Sequence, residues 1–194
     1  MKRDELAELL RRAASLTEDG DILVVGSQAI LGSFAEEKLP DRAVLSREVD
    51  LVFLRDPDRR KADLVNAIIG EMSPHDAEWG TYAEGVHRDT VILPSGWKQR
   101  VVTWHRQPSS PRFLEKHDLC ASKLARGAQK DLDFVGVLVD AGLVDPAIIL
   151  ARVELLQADA PVVRATVERA RAFIGRGRHE QTSVARQVDP LTDA

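Results

Sequence analysis

With 194 residues, 44% of them hydrophobic and 30% charged, the chain can bury one sizeable core with or without a helical appendage. Its formal net charge of −4 excludes a global basic field for non-specific nucleic-acid binding, so any polyanionic partner must be held by a local site. The single cysteine, Cys120, excludes an internal disulfide framework and a cysteine-rich zinc site and fits a reducing compartment.

The N-terminal stretch MKRDELAELLRRAASL carries charge throughout and has no apolar signal-peptide core. No later segment approaches the ~18 apolar residues of a membrane span. A soluble, cytoplasmic protein with no membrane partner is expected. Leu6, Leu9, Leu10, Ala13 and Leu16 recur at helical spacing and predict an amphipathic helix over residues 3–16. Ile22 to Val25 is a short apolar run that suits a strand covered on both faces. Gly26 ends it, and Ala29, Ile30, Leu31 and Phe34 then follow helical spacing with Ser27 as the expected N-cap.

The polar stretch EEKLPDRAVLSRE reads as a loop leading to a second strand, Val49 to Leu54. After an Asp-Pro turn, a helix is expected with Leu64, Ala67, Ile68 and Met72 on its packed face. The runs WGTYAEG, DTVILPSGW and RVVTW read as one or two hairpins completing a small mixed sheet.

From about residue 111 helical patterns take over. PRFLEKHDLCASKLA predicts a helix ending at Gly127, with Cys120 as a small core residue, and QKDLDFVGVLVDAG a second helix ending at Gly142. PAIILARVELLQA and PVVRATVERARAFI follow, with Pro146 and Pro161 near their starts. The expected organisation is an α/β unit over 1–110, a helical region over 111–175 and a disordered tail over 176–194.

Glu48 and Asp50 flank Val49, so both carboxylates leave one face of the strand about 7 Å apart. Such a pair can share a hard, oxygen-seeking cation such as Mg²⁺ or Mn²⁺, and Asp50 at the lip of a buried strand needs compensation. Lys123 near the end of one helix and Lys130 and Asp131 in the first turn of the next can converge on one corner, with Arg126 the member expected to be merely solvated. Asp131 and Asp133 also suit a helix N-terminus. The five histidines show no metal-ligand spacing, and no nucleophile elbow or P-loop is present. A pairing of Ser27 with His87 or His105 has no fixed spacing. Trp79, Tyr82, Trp97 and Trp104 could stack bases, but aromatic residues in short strands more often pack a sheet.

The order of strand, Gly-Ser turn, helix, loop and acid-x-acid strand resembles the DNA polymerase β-like nucleotidyltransferase superfamily. Val25-Gly26-Ser27 matches its hG[GS] turn, and Glu48-Val49-Asp50-Leu51 its [DE]h[DE]h strand. LEKHDLCASKLARGAQKDLDFVGVLVDAGLVD is similar to a region of small bacterial nucleotidyltransferase-like proteins that include abortive-infection type toxins of toxin–antitoxin pairs. The resemblance covers about residues 20 to 145. It implies an α+β fold, a small mixed sheet flanked by helices and followed by a C-terminal helical bundle.

It also implies a nucleotidyltransferase that moves NMP from an NTP to an acceptor hydroxyl on RNA, such as tRNA, or on protein, with a cognate antitoxin as a partner. Glu48 and Asp50 would hold Mg²⁺ or Mn²⁺, while Gly26, Ser27 and the N–H groups opening the helix would bind phosphates. Lys123 would contact the triphosphate, with Lys130 and Asp131 positioning it or binding the nucleotide. The chain departs from the family in having Glu48 rather than Asp, a long Ser27-to-Glu48 gap and RGAQKD in place of a tighter RxKD. Thr103 stands in RVVTW where a third carboxylate is expected, and Glu84 and Asp89 are the nearby alternatives. A catalytically degenerate fold that binds nucleotide or protein is the competing expectation, and a helical interaction protein pairing through the N-terminal helix is a third.

Overall fold

The apolar run Ile22–Val25 forms β1, and all four of its residues are buried at the centre of a five-stranded sheet. The computed structural model describes residues 1–105 and 110–185, with side chains as far as residue 174. Strand β2 is Glu48–Phe53, β3 Tyr82–Gly85, β4 Val102–Thr103 and β5 Arg112–Phe113, in the sheet order β3-β2-β1-β5-β4. The β1–β2 and β4–β5 pairs are antiparallel, whereas β1–β5 and β2–β3 are parallel.

Helices α1 (Arg3–Thr17), α2 (Ile30–Ser33), α3 (Arg60–Ile69) and α4 (Pro74–Trp79) accompany the sheet. A C-terminal bundle follows in α5 (Lys116–Arg126), α6 (Gln129–Asp140), α7 (Pro146–Val153) and α8 (Ala160–Ala185). This is the α+β architecture expected from the sequence. Among the described residues no helix is long and apolar enough to cross a membrane.

Side-chain alternation divides β2 between two environments. Val49, Leu51 and Phe53 are buried, while Glu48 and Asp50 on the other face are half-buried. Register puts Ala83 beside Val49 and Gly85 beside Leu51, and α3 covers this apolar side. The approach is close enough that a Cβ at Gly85 would lie 2.2 Å from the Ala62 carbonyl oxygen. Helix α1 packs against α3 and β3, burying Leu6, Leu9, Leu10 and Ala13. The acid-bearing face is thereby left to the C-terminal bundle, and α5 and α6 wall the cleft in front of it.

Several elements differ from the sequence expectation. WGTYAEG is not part of a hairpin, because β3 returns parallel to β2 after a crossover through α3 and α4. On its outer edge the Asn66 side chain takes the Gly85 N–H at 2.7 Å and donates to the Gly85 carbonyl at 3.2 Å, which blunts that edge. DTVILPSGW makes 3₁₀ turns at Arg88–Thr90 and Trp97–Gln99 and one isolated bridge between Pro94 and Leu156. Backbone hydrogen bonds from Ser95 to Leu155 and from Gln157 to Leu93 tie this loop to the segment between α7 and α8.

Only RVVTW forms a hairpin, with Arg112–Phe113, so the segment expected to open a helix begins as a strand instead. Trp104 packs on Phe113 at a 4.4 Å centroid distance. The helix then starts at Lys116, where the Glu115 side chain accepts hydrogen bonds from the His117 and Asp118 N–H groups. Packing of α3 uses Ala62, Val65 and Ile69 rather than the expected stripe, and Leu64, Ile68 and Met72 are exposed. Helix α8 runs past residue 175 into the stretch read as a tail, and residues 186–194 lie outside the described residues. Cys120 is a buried free thiol, as expected, and burial pushes its pKa up to about 12.

Candidate functional site

Three carboxylates converge on the polar face of the sheet. Glu48 and Asp50 project from β2 as expected, and the parallel register places Glu84 of β3 directly beside Asp50. Each of the three offers an oxygen within 4.8 Å of the others. Of the two alternatives the sequence offers for a third acid, Glu84 and Asp89, the crossover brings in Glu84. Its sequence signal is slight: a single acid alternating with Ala83 and Gly85 in a four-residue strand.

The acids do not ionise independently. Burial, then the charge of Glu48, pushes Asp50 up to about 7. Hydrogen bonding with Glu48, then burial, pushes Glu84 to about 7 as well. Burial also acts upward on Glu48, but hydrogen bonds from Glu84 and Asp50 outweigh it, and Lys130 and Arg126 help to hold it below the usual range. The cluster therefore retains protons near neutrality. Converging hard oxygen donors that repel one another when ionised fit a divalent cation of the Mg²⁺ or Mn²⁺ type.

Gly26 presses on this cluster from β1. Its backbone has φ 62° and ψ −166°, and a Cβ there would lie 1.6 Å from Asp50 Oδ2. Only glycine occupies that region comfortably. Gly26, rather than Ser27, takes the N-cap position, and the following turn is a 3₁₀ segment, Ser27–Ala29, that leads into the single turn of α2. The Ser27 side chain is free of capping and instead accepts a hydrogen bond from Lys123 Nζ at 3.0 Å.

Lys123 reaches the site from the last turn of α5 and is 5% exposed. Its ammonium also lies 3.1 Å from Asp131 Oδ1 and 4.6 Å from the centroid of the Phe134 ring. Burial lowers its pKa, with Asp131 pulling in the opposite direction. Asp131 is completely buried in the first turn of α6. Its two oxygens accept from Arg126 Nε at 2.6 Å and Nη2 at 2.5 Å, a bidentate clamp. Burial acts to raise the Asp131 pKa, and the hydrogen bonds from Arg126 and Lys123 override it and leave it lowered. The Arg126 side chain is 55% exposed, solvated as the sequence suggests, yet it is also an anchored member of the cluster through Asp131.

Two clefts, of about 360 and 450 Å³, open on these groups. Glu48, Asp50, Lys123, Arg126 and Lys130 line both. Ser27, Arg42, Ser46 and Asp133 line only the first, whereas Gly26, Glu84 and Thr90 line only the second. Of the aromatic residues considered for base stacking, none lines either cleft: Trp79 stacks on His75 at 5.9 Å, Trp97 is buried beneath Arg88, and Tyr82, registered beside Glu48, sits by Arg47, whereas Phe134 lines the first cleft. His87 lies 3.7 Å from Asp63, while Ser27 is engaged by Lys123. His117 donates from Nδ1 to Glu115 at 2.8 Å and accepts at Nε2 from the Asp145 N–H at 3.1 Å, a structural role at the bundle.

The arrangement can hold a divalent cation beside a row of ammonium and guanidinium groups, which is an electrostatic frame for a polyphosphate. Mixed sheet, helical bundle and acidic triad together agree with a nucleotidyltransferase-like fold in general. Compared with protein-family models, curated proteins and solved structures, the chain finds no match.

Proposed function

We propose that the protein is a metal-dependent nucleotidyltransferase that moves NMP from an NTP to an acceptor hydroxyl. The observation that carries this reading is the triad of Glu48, Asp50 and Glu84, of which Glu48 and Asp50 share a cleft with the Lys123–Ser27 contact. Glu48, Asp50 and Glu84 would hold the cation, which when bound neutralises phosphate oxygens and polarises the α-phosphate. Lys123 and Ser27 bind the triphosphate tail, with Lys130 as a further cation in the same cleft. Asp131 holds Lys123 and Arg126 in place from behind.

In the reaction the acceptor oxygen forms a bond to the α-phosphorus as the bond from that phosphorus to the β-phosphate bridging oxygen breaks. Pyrophosphate departs toward Lys123 and Ser27. The hydroxyl proton passes to a triad carboxylate, and we assign that role to Glu84 as the most exposed of the three.

The test is incubation of the protein with Mg²⁺, a cell extract and each NTP labelled in its α-phosphate. Wild type should transfer label to a component of the extract, and Asp50→Asn should not. Equal behaviour of the two proteins overturns the transferase reading. Binding of Mg·NTP without any transfer would leave a nucleotide-binding module.

A further inference from the structure

The two clefts differ in what they can recognise. Apart from the groups they share, the first has one cation, Arg42, one carboxylate, Asp133, the hydroxyls of Ser27 and Ser46, and an apolar part that includes Phe134. In the second, the residues not shared are chiefly aliphatic, with Val86, Val91, Ile92 and Leu119 beside the hydroxyls of Thr90 and Ser122. The one charge particular to the second cleft is negative, that of Glu84. Cations near this wall are already engaged. Arg88 donates to the Val91 carbonyl at 3.1 Å and lies over the Trp97 ring, and Arg59 pairs with Asp89 at 2.8 Å.

Transfer at an α-phosphorus sets the attacking and leaving oxygens roughly in line, on opposite sides of the phosphorus. The β- and γ-phosphates belong in the cleft where Ser27 meets Lys123 and where Arg42 offsets the charge of Asp133. The acceptor then enters from the other, whose particular residues include no cation. A polynucleotide brings a negative charge with each nucleotide and is held chiefly by Lys and Arg contacts to phosphate. The shared cations Lys123, Arg126 and Lys130 are committed to the triphosphate, so a polynucleotide acceptor would meet an aliphatic wall and a carboxylate.

Building on the transferase reading, we propose that the acceptor is a phosphate-free hydroxyl compound with an aliphatic body, not a nucleic acid. The hydroxyl could belong to a protein side chain or to a free small molecule, which present the same chemistry to Val86, Ile92 and Thr90. The bond formed is a phosphodiester between that oxygen and the nucleoside phosphate, and pyrophosphate is the leaving group.

The experiment uses the full chain with Mg²⁺ and NTP labelled in the α-phosphate, on a cell extract divided by gel filtration into macromolecular and small-molecule fractions. Label that resists RNase and DNase is expected. Release by proteinase K identifies a polypeptide carrier, and label confined to the small-molecule fraction identifies a free compound. The rate should change little between about 50 and 200 mM salt, a range over which a polynucleotide held by six phosphate contacts loses about 10³ in affinity. RNase-labile or DNase-labile label overturns the proposal. Absence of label in every fraction overturns the transferase reading and this proposal with it.

Two variants locate the acceptor. Ile92→Asp and the exposed Thr90→Glu should each lower labelling at least about tenfold while preserving the Mg·NTP-induced thermal shift. Loss of that shift together with labelling in both variants would place the nucleotide, not the acceptor, in the second cleft and overturn the assignment.

Discussion

The Asp50 carboxylate occupies the space that a side chain at Gly26 would need, with 1.6 Å between Asp50 Oδ2 and a Cβ built at that glycine. The contact joins the Gly-Ser turn of β1 to the acid-x-acid strand β2, whose Asp50 is registered with Val25. The glycine is therefore required twice, once for its φ of 62° and once for the carboxylate beside it.

Gly26→Ala should destabilise the fold by more than the roughly 1–3 kcal/mol of backbone strain alone, because Asp50 must also move. Gly80→Ala is the control: its φ is +69° but nothing lies within 4 Å of the added Cβ. Urea denaturation of the two variants should show the larger loss for Gly26→Ala, and only that variant should lose a Mg²⁺-induced thermal shift. Equal losses with the shift intact would show that the Gly26–Asp50 contact does not organise the metal centre.

The acidic triad sets a pH dependence whose sign follows from the raised acids. An acid with a folded pKa above its ordinary value contributes stability below that ordinary value and loses the contribution as pH rises through the folded one. For Asp50 and Glu84 the window runs from ordinary values of 3.8 and 4.5 to about 7. Metal-free protein should therefore lose stability from this cluster between about pH 4 and 7, mainly through Asp50, since Glu84 is exposed. Mg²⁺ or Mn²⁺ binds the ionised form, so its stabilisation should grow from pH 6 to pH 8, reaching about 2.7 kcal/mol at a hundred times Kd. Asp50→Asn should make the metal-free protein more stable at pH 8 and abolish the metal effect. Calorimetric melting at the two pH values, with and without metal, reads both outcomes.

What could be read in the sequence was local. The run Ile22 to Val25, the Gly-Ser turn, the Glu48-x-Asp50 pair and the Gly127 break each show in neighbouring residues, and each stands where the spacing placed it. Glu84 did not stand out, because its place beside Asp50 depends on a crossover of two helices that no short window contains. The anchoring of Arg126 is hidden for a related reason. Its partner Asp131 lies across a helix break and is completely buried, so ordinary surface-charge reasoning does not apply.

Helix α3 shows how an apolar pattern can point to the wrong face. Leu64, Ile68 and Met72 repeat at i, i+4, i+8, yet Ala62, Val65 and Ile69 meet the sheet, because Gly85 lets the helix approach at Ala62. Ile69→Ala should cost about 2–5 kcal/mol, whereas Ile68→Ala, at 47% exposure, should cost little beyond about 0.5 kcal/mol. Chemical denaturation of the pair decides between the two registers, and a larger loss for Ile68→Ala would restore the sequence-based face.

The Lys123–Asp131–Arg126 cluster separates residues that hold the site from those that face the ligand. Asp131 is fully buried with both oxygens occupied, while Lys123 is 5% exposed and depends on it for charge compensation. Removing one member of a buried pair leaves the other uncompensated, so Asp131→Ala should destabilise the protein by about 3–5 kcal/mol. Lys130, an exposed residue at the mouth of both clefts, should behave differently. Lys130→Ala should leave stability within about 0.5 kcal/mol and weaken Mg·NTP binding. Because Lys123 is strained by burial, the double variant Asp131→Asn with Lys123→Met should recover much of the stability lost in Asp131→Asn alone, yet bind NTP no better. Denaturation and calorimetric titration of the four proteins test this division. Should the double variant regain nucleotide binding along with stability, Lys123 would be a structural lysine and not the phosphate contact.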